Sequence, residues 1–265
     1  MTELDVRDSS GLSRRTVVRG AAWSVPVVSM AATAPAFASS TCKDGAYQVR
    51  WSLDYDGATD VATANRTTTS GTGTTGNAAL TLTVLSTFNG RMQAGSANVQ
   101  NVGTYSNLNV SPANIGGLGQ RGLTIMQRCR DTSLGTPRRN NNQVITLKFN
   151  RPVWDLKFTL TDIDSNSGQY QDRIEISPVP PKFTLGGAMQ GSGTQASPWS
   201  PKTTNLDQDP VSEGGGNVVL DYTGAAPAAE YTITYWNDQS GTLTSNGLQG
   251  VFVSNVTCAA ETCTV

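Results

Sequence analysis

The chain contains no histidine, and only 15% of its 265 residues are charged. Without imidazole it cannot build a Ser-His-Asp or Cys-His catalytic unit, a His-ligated zinc site or a near-neutral proton shuttle. Neither sign of charge dominates: 19 Lys+Arg face 20 Asp+Glu, for a formal net charge of −1. A nucleic-acid partner is therefore not expected, because phosphate backbones demand a basic surface. No apolar run approaches the roughly 20 residues needed to cross a bilayer as a helix. Cysteine is scarce as well, with four in all and no C-x-x-C spacing, which argues against thiolate-bound metal.

What is present begins with an address. Leu12-Ser13-Arg14-Arg15-Thr16-Val17-Val18-Arg19 is followed by an apolar stretch, Gly20 to Met30, and by Ala36-Phe37-Ala38. A basic region, a short apolar region and a small-x-small end describe a cleavable export signal. The pair Arg14-Arg15 resembles the twin-arginine motif, which implies export of an already folded protein. Residues 1–38 are thus expected to be a signal peptide and 39–265 a single mature domain, with Ser39 at its start. The mature protein is expected to be extracellular or cell-wall-associated, with no membrane span. Export also favours disulfides among Cys42, Cys129, Cys258 and Cys263. Cys42 precedes the first expected strand and Cys258 follows the last, so Cys42 is expected to pair with Cys258 or Cys263, leaving Cys129 for the other.

Beyond residue 38 the hydrophobic pattern has period two, not 3.6. In Tyr47 to Tyr55 every odd residue is apolar, and Leu80, Leu82 and Val84 alternate with threonines. Val144 to Phe149, Val218 to Tyr222, Tyr231 to Trp236 and Val251 to Val256 read the same way. Nine or ten short strands between Thr-, Asn- and Gly-rich turns predict an all-β fold, a two-sheet antiparallel sandwich with long irregular loops. Gly186 to Gly216 is the longest of these, a segment that either carries a binding site or only decorates the surface. Gly117-Leu118-Gly119-Gln120-Arg121-Gly122 fits G-x-G-x-x-G, but a strand follows it where a dinucleotide site needs a helix. Arg138-Arg139 reads as a solvated loop.

The segment from Asn150 to Pro178 carries the chemistry. Trp154, Leu156, Phe158 and Leu160 alternate, so they are expected to face the core, with Asp162 and Asp164 continuing that parity. Asp172 precedes Ile174 and Ile176 on the next expected strand, taken as a hairpin neighbour. Three carboxylates on the core side require hydrogen bonds, a cation or a metal. Calcium is the metal that oxygen ligands favour, held by Asp162, Asp164 and Asp172. Arg151 or Arg173 could neutralise the cluster instead. The same Asp162 and Asp164 leave open a carboxylate pair for glycoside cleavage, about 5–9 Å apart.

Phe149, Pro152, Val153, Leu156, Phe158, Leu160, Asp162, Ile163, Asp164 and Asp172 follow a pattern that resembles bacterial surface and adhesin-like β-sandwich domains. Together with the signal, the chain resembles secreted actinobacterial surface proteins. That resemblance implies a jelly-roll-like extracellular domain used in attachment or ligand binding. The expected function is a non-catalytic binding or adhesion protein, with a glycan or a host or matrix polymer as partner. Trp199, Trp236 and Tyr170 are candidate sugar-stacking faces, Trp236 being equally readable as core. A secreted carbohydrate-active enzyme and a purely structural envelope component are the alternatives.

Overall fold

Alternating β-branched and aromatic residues leave strands as the economical way to bury one face, and the computed structural model bears this out. It describes residues 43–58, 61–63, 65–66, 79–131, 138–243 and 245–262. The expected signal peptide, with Arg14 and Arg15, lies outside the described residues, as do Cys42 and Cys263.

The chain opens with β1 (Lys43–Val49), a helical turn α1 (Trp51–Asp54), β2 (Tyr55–Asp56), β3 (Val61–Thr63) and β4 (Asn65–Arg66). There follow β5 (Thr81–Phe88), β6 (Met92–Ala94), β7 (Ser96–Val99), β8 (Gly103–Ser106) and β9 (Leu123–Cys129). The long β10 (Asn142–Thr161) leads to β11 (Ser165–Asn166), β12 (Tyr170–Ser177), β13 (Lys182–Leu185), β14 (Met189–Gln190) and β15 (Ser200–Pro201). The last are β16 (Val218–Asp221), β17 (Ala228–Asn237), β18 (Gln249–Val253) and β19 (Val256–Thr262). The fold is all-β and antiparallel, as expected, and fits the sandwich class. Among the described residues no helix is long and apolar enough to cross a membrane.

Strand β10 organises the rest. Its first half pairs with β17 on one side and β5 on the other, from Gln143 opposite Tyr235 and Phe88 onward. Its second half pairs with β16, β19 and β18. Val153 stands at the junction, opposite both Ala228 of β17 and Ala260 of β19. One strand therefore belongs to two sets of neighbours. Buried side chains from both sets, among them Leu82, Leu147, Leu160, Ile233 and Val256, share one core cluster. Each such residue contributes about 1.5–3 kcal/mol relative to exposure.

The parity expected for β10 is corrected by a bulge. Ile145, Leu147, Phe149 and Val153 are buried at odd positions, then Leu156, Phe158 and Leu160 at even ones. Between them the register slips, and Asp155 takes a left-handed φ of 49°. One extra residue exchanges the faces of everything beyond it. Trp154 is thus only partly buried, and Val153 takes the core position assigned to it. A second correction concerns Tyr47 to Tyr55. Alternation holds through Trp51, but Trp51–Asp54 coils into one turn, where the Asp54 carboxylate accepts the Arg50 N–H at 2.7 Å. That leaves Leu53 69% exposed.

The first and last long strands are neighbours, as expected: β1 and β19 run antiparallel from Lys43 opposite Thr262 to Val49 opposite Val256. Cys258 faces Tyr47 in this register, and the expected pairings of Cys42 involve a residue outside the described ones. Cys129 and Cys258 are both buried free thiols, and burial pushes the Cys258 thiol up to about 12.

Candidate functional site

The three aspartates are brought together by the short β11–β12 hairpin, in which Ser165 pairs with Gln171 and the Asp172 N–H donates to the Asp164 carbonyl at 3.1 Å, although β12 does not pair with β10 itself. β12 pairs with β11 and with β17, so β17 separates it from β10. Asp162 and Asp164 lie in the link from β10 to β11, where Asp162 has a left-handed φ of 64°. Asp172 on β12 reaches them from the side: its Oδ2 accepts the Asp164 N–H at 3.1 Å. Its Oδ1 accepts the Tyr235 hydroxyl at 2.8 Å, so both oxygens are engaged by the protein. Asp164 Oδ2 accepts the Gln208 N–H at 3.0 Å and the Tyr170 hydroxyl at 3.4 Å. The buried Oδ1 of Asp162 has no hydrogen-bond partner.

Among the described residues no cation forms an ion pair with these carboxylates, and the charge of Arg173 offsets the burial of Asp172 only in part. Arg173 pairs with Asp238 at 3.3 Å and donates to the backbone carbonyl of Asp172, not to its carboxylate. Arg151 stacks over the Tyr47 ring at 5.7 Å. All three carboxyls are accordingly held above their ordinary range. Burial is the main cause for each, raising Asp164 to about 7, and neighbouring aspartate charges add to it. Among the described residues no group of three His, Cys, Asp or Glu is arranged to hold a metal ion. Each Asp172 oxygen accepts one hydrogen bond from the protein, which leaves each a further lone pair.

The loop after β13 is no surface decoration. Leu206 and Ser165 exchange backbone hydrogen bonds at 2.8 and 2.9 Å, and the Ile163 N–H donates to the Gly216 carbonyl at 3.1 Å. These bonds seat Gln208 over Asp164. The loop also buries Met189 and Trp199 in the main core. Trp199 is fully buried against Phe183, with ring centroids 5.6 Å apart, and Trp236 is 4% exposed. Neither can stack on a sugar. Tyr170 remains available, since it is only partly buried.

Tyr170 and Asp162 open onto a pocket of about 170 Å³ that sequence reading did not find. Its floor comes from Met126 of β9 with Gln249 and Phe252 of β18, which lie on paired strands. The β7–β8 hairpin forms one wall through Ala97, Val99 and Tyr105, and Pro210 of the long loop contributes as well. Tyr105, Met126 and Phe252 belong to a second apolar cluster outside the main core, with the Tyr105 and Phe252 rings 5.5 Å apart. Gly250 makes room for the Met126 side chain, since a Cβ there would lie 2.8 Å from Met126 Cε. Gln249 is 3% exposed, and neither end of its carboxamide has a partner. Gln249 shares the parity of Val251 and Val253 and is set opposite Gln127, so its sealed carboxamide lies on the main-core face and its backbone borders the pocket. The pocket thus combines the Tyr170 ring and an apolar wall with the Asp162 carboxylate. Of its lining, Asp162 by its parity and Tyr170 as a stacking candidate were legible beforehand. Val251 and Phe252 were read simply as strand.

Other singled-out residues resolve differently. Gly117-to-Gly122 is a turn leading into β9, with φ of 69° at Gly117 and 67° at Gly119. Arg139 is not merely solvated: its guanidinium grips the largely buried Glu175 carboxylate through two bonds of 2.6 and 2.7 Å. Compared with known proteins, the chain matches no family model, no curated protein and no solved structure.

Proposed function

We propose that this chain is a secreted or surface-associated, non-catalytic binding protein whose ligand is a glycan. The observation that carries the reading is the pocket lined by Tyr170, Asp162, Val99 and Leu248. The partly exposed Tyr170 ring and the apolar wall receive the C–H side of a sugar ring, and the Asp162 carboxylate accepts from its hydroxyls. A carboxylate-pair enzyme is less well served. Both oxygens of Asp172 and one of Asp164 are occupied by the protein, which leaves Asp162 as the aspartate lining the pocket.

A glycan array probed with the purified protein tests this reading. Retention of one glycan class, lost in Ala97→Trp, is the expected result; Ala97 lines the pocket, and an indole there fills it. Sugar release from a polysaccharide would establish the enzyme instead. Absence of binding to any glycan would leave the structural alternative.

Export to an oxidising compartment, read from Arg14-Arg15 and the apolar stretch after them, belongs to the same proposal. It carries a disulfide prediction. The β1–β19 register sets Lys43 opposite Thr262, so the next residues outward, Cys42 and Cys263, are the expected pair. Peptide mapping without reductant should recover that linkage, with Cys129 and Cys258 alkylated only after unfolding. A linkage involving Cys129 would refute it.

A further inference from the structure

We infer that the polar pocket beside Arg173 is a second binding site, which takes an acidic sugar by its carboxylate. It shares no lining residue with the pocket at Tyr170, and its recognition does not rest on what that first pocket binds.

Strand register builds this site on the solvent-facing side of the sheet. Ile174 of β12 bridges Trp199, and both side chains lie in the main core. One residue along, Arg173 and Ser200 therefore share the opposite face, because side chains alternate. Gln190 of β14 stands opposite Ser200 in turn, and Trp236 of β17 opposite Arg173. Arg173, Ser200 and Gln190 thus form a row across neighbouring strands, and Gly191, Ser197 and Pro198 complete a pocket of about 260 Å³. Gln190 and Ser197 are exposed, and the Arg173 side chain remains 17% exposed.

The groups left free in that row call for an anion that also carries hydroxyls. A guanidinium offers five N–H donors. Arg173 Nη1 donates to the Asp172 carbonyl at 3.3 Å and Nε faces Asp238 across 3.3 Å, while Nη2 has no partner among the described residues. Asp238 is 40% exposed, and an exposed pair of this kind holds its partners only weakly. A carboxylate set against both Nη nitrogens gains the bidentate, charge-assisted contact that the Asp238 pair lacks. Gln190 adds the second demand. Its Nε2 donates to the Ser200 hydroxyl at 3.4 Å and to the Pro201 carbonyl at 3.3 Å, which leaves Oε1 as an acceptor without a donor among the described residues. A bare anion has nothing to give Oε1; a sugar hydroxyl does. An acidic peptide also brings a carboxylate, but β12 has no free backbone edge to receive it. β17 takes one edge, and Ser165, Trp199 and Gly193 take the other. Pro198 is the one apolar side chain among the lining residues, so the neighbours of an acidic residue would find little to pack against.

Titration calorimetry on the purified protein, with chelator present, compares an oligogalacturonate with the same oligomer after methyl esterification. The acid should bind at least about tenfold more tightly, equivalent to ~1.4 kcal/mol, because only the carboxylate differs. Arg173→Lys keeps a charge but loses the fork, and should erase most of that preference. Asp238→Asn removes the competing carboxylate and should raise affinity for the acid several-fold. Matching melting curves for both variants exclude misfolding as the cause. Equal binding of acid and ester would overturn the inference, as would a preference that survives Arg173→Lys. Loss of the acid's binding in Ala97→Trp would also overturn it, by placing the sugar in the Tyr170 pocket. A glutamate oligomer or inorganic sulfate that binds as tightly as the oligogalacturonate would do the same, by showing a peptide site or a simple anion site. No binding of the acid overturns it and leaves the glycan reading of the first pocket to the neutral sugars of the array.

Discussion

In the presence of a chelator, the protein is expected to melt at a higher temperature at pH 5 than at pH 8, the reverse of the usual behaviour. Acid denaturation ordinarily follows from carboxylates whose folded pKa is depressed. Here the sign is inverted. Burial, reinforced by neighbouring negative charge, raises Asp164 to about 7 and holds Asp162 and Asp172 well above their ordinary value. In the unfolded chain an aspartate titrates near 3.9. Between about pH 4 and 7 the folded state therefore binds more protons than the unfolded one. Stability falls as pH rises through that window, and for the two more strongly shifted carboxyls the fall continues beyond it. Each unit of displacement is worth about 1.4 kcal/mol, so the fall amounts to a few kcal/mol. Asp164→Asn removes one of the three contributing groups and preserves an oxygen for the Gln208 N–H, so its slope should be shallower by about a third up to pH 7. Thermal melts of both proteins across pH 5–8 decide the matter. A melting temperature that rises over this range would show that the cluster is neutralised by a partner.

Gly191→Ala is expected to be among the most damaging single-methyl additions in the molecule. Gly191 sits at φ 99°, outside the regions open to ordinary side chains, in the neck joining β14 to β15. A Cβ there would lie 2.1 Å from the Pro198 carbonyl oxygen and 3.1 Å from Trp199 Cα. Both are backbone atoms, so no side chain can swing aside. Pro198 cannot retreat either, because the next residue, Trp199, is fully buried and exchanges backbone hydrogen bonds with Ile174 at 3.0 and 2.9 Å. Overpacking and backbone strain together cost roughly 3–5 kcal/mol. For a domain of this size that lowers the melting temperature by on the order of 10 °C. Gly187→Ala is the control: nothing lies within 4 Å of its Cβ position and its φ is not positive. It should melt within a degree or two of wild type. Equal melting of the two variants would mean that the β14–β15 neck is not held as described.

Period-two alternation was enough to specify an all-β chain, because a strand has only two faces and each apolar residue declares one. Leu80, Leu82 and Val84 are buried as their spacing required, and so are Tyr231, Ile233 and Tyr235. The neighbouring of the first and last strands also followed from the pattern, since closing a sandwich brings its ends together. Alternation says nothing of where it breaks. The bulge at Asp155 turns on a single left-handed residue and exchanges Trp154 for Val153. The helical turn at Trp51–Asp54 turns on one carboxylate bonding back to the Arg50 N–H. The bulge shows in spacing only as a switch from odd to even apolar positions after Val153, which Trp154 disguises, and the helical turn leaves no mark.

For the site, the sequence marked three acidic positions and Tyr170. That Asp162, Asp164 and Asp172 would be drawn inward was legible from their parity with core residues. Whether they would hold a metal, meet an arginine or line a pocket depended on groups far away in sequence. Tyr235 and Gln208 commit Asp172 and Asp164 to the protein. Met126, Gln249 and Phe252 set Asp162 against a pocket, and Trp199, expected to face solvent, lies in the core. Composition alone excluded histidine chemistry and a basic nucleic-acid surface. The pocket was decided by tertiary structure, because its walls come from strands paired over separations of more than a hundred residues, where loop closure and side-chain fit, not local preference, choose the neighbours.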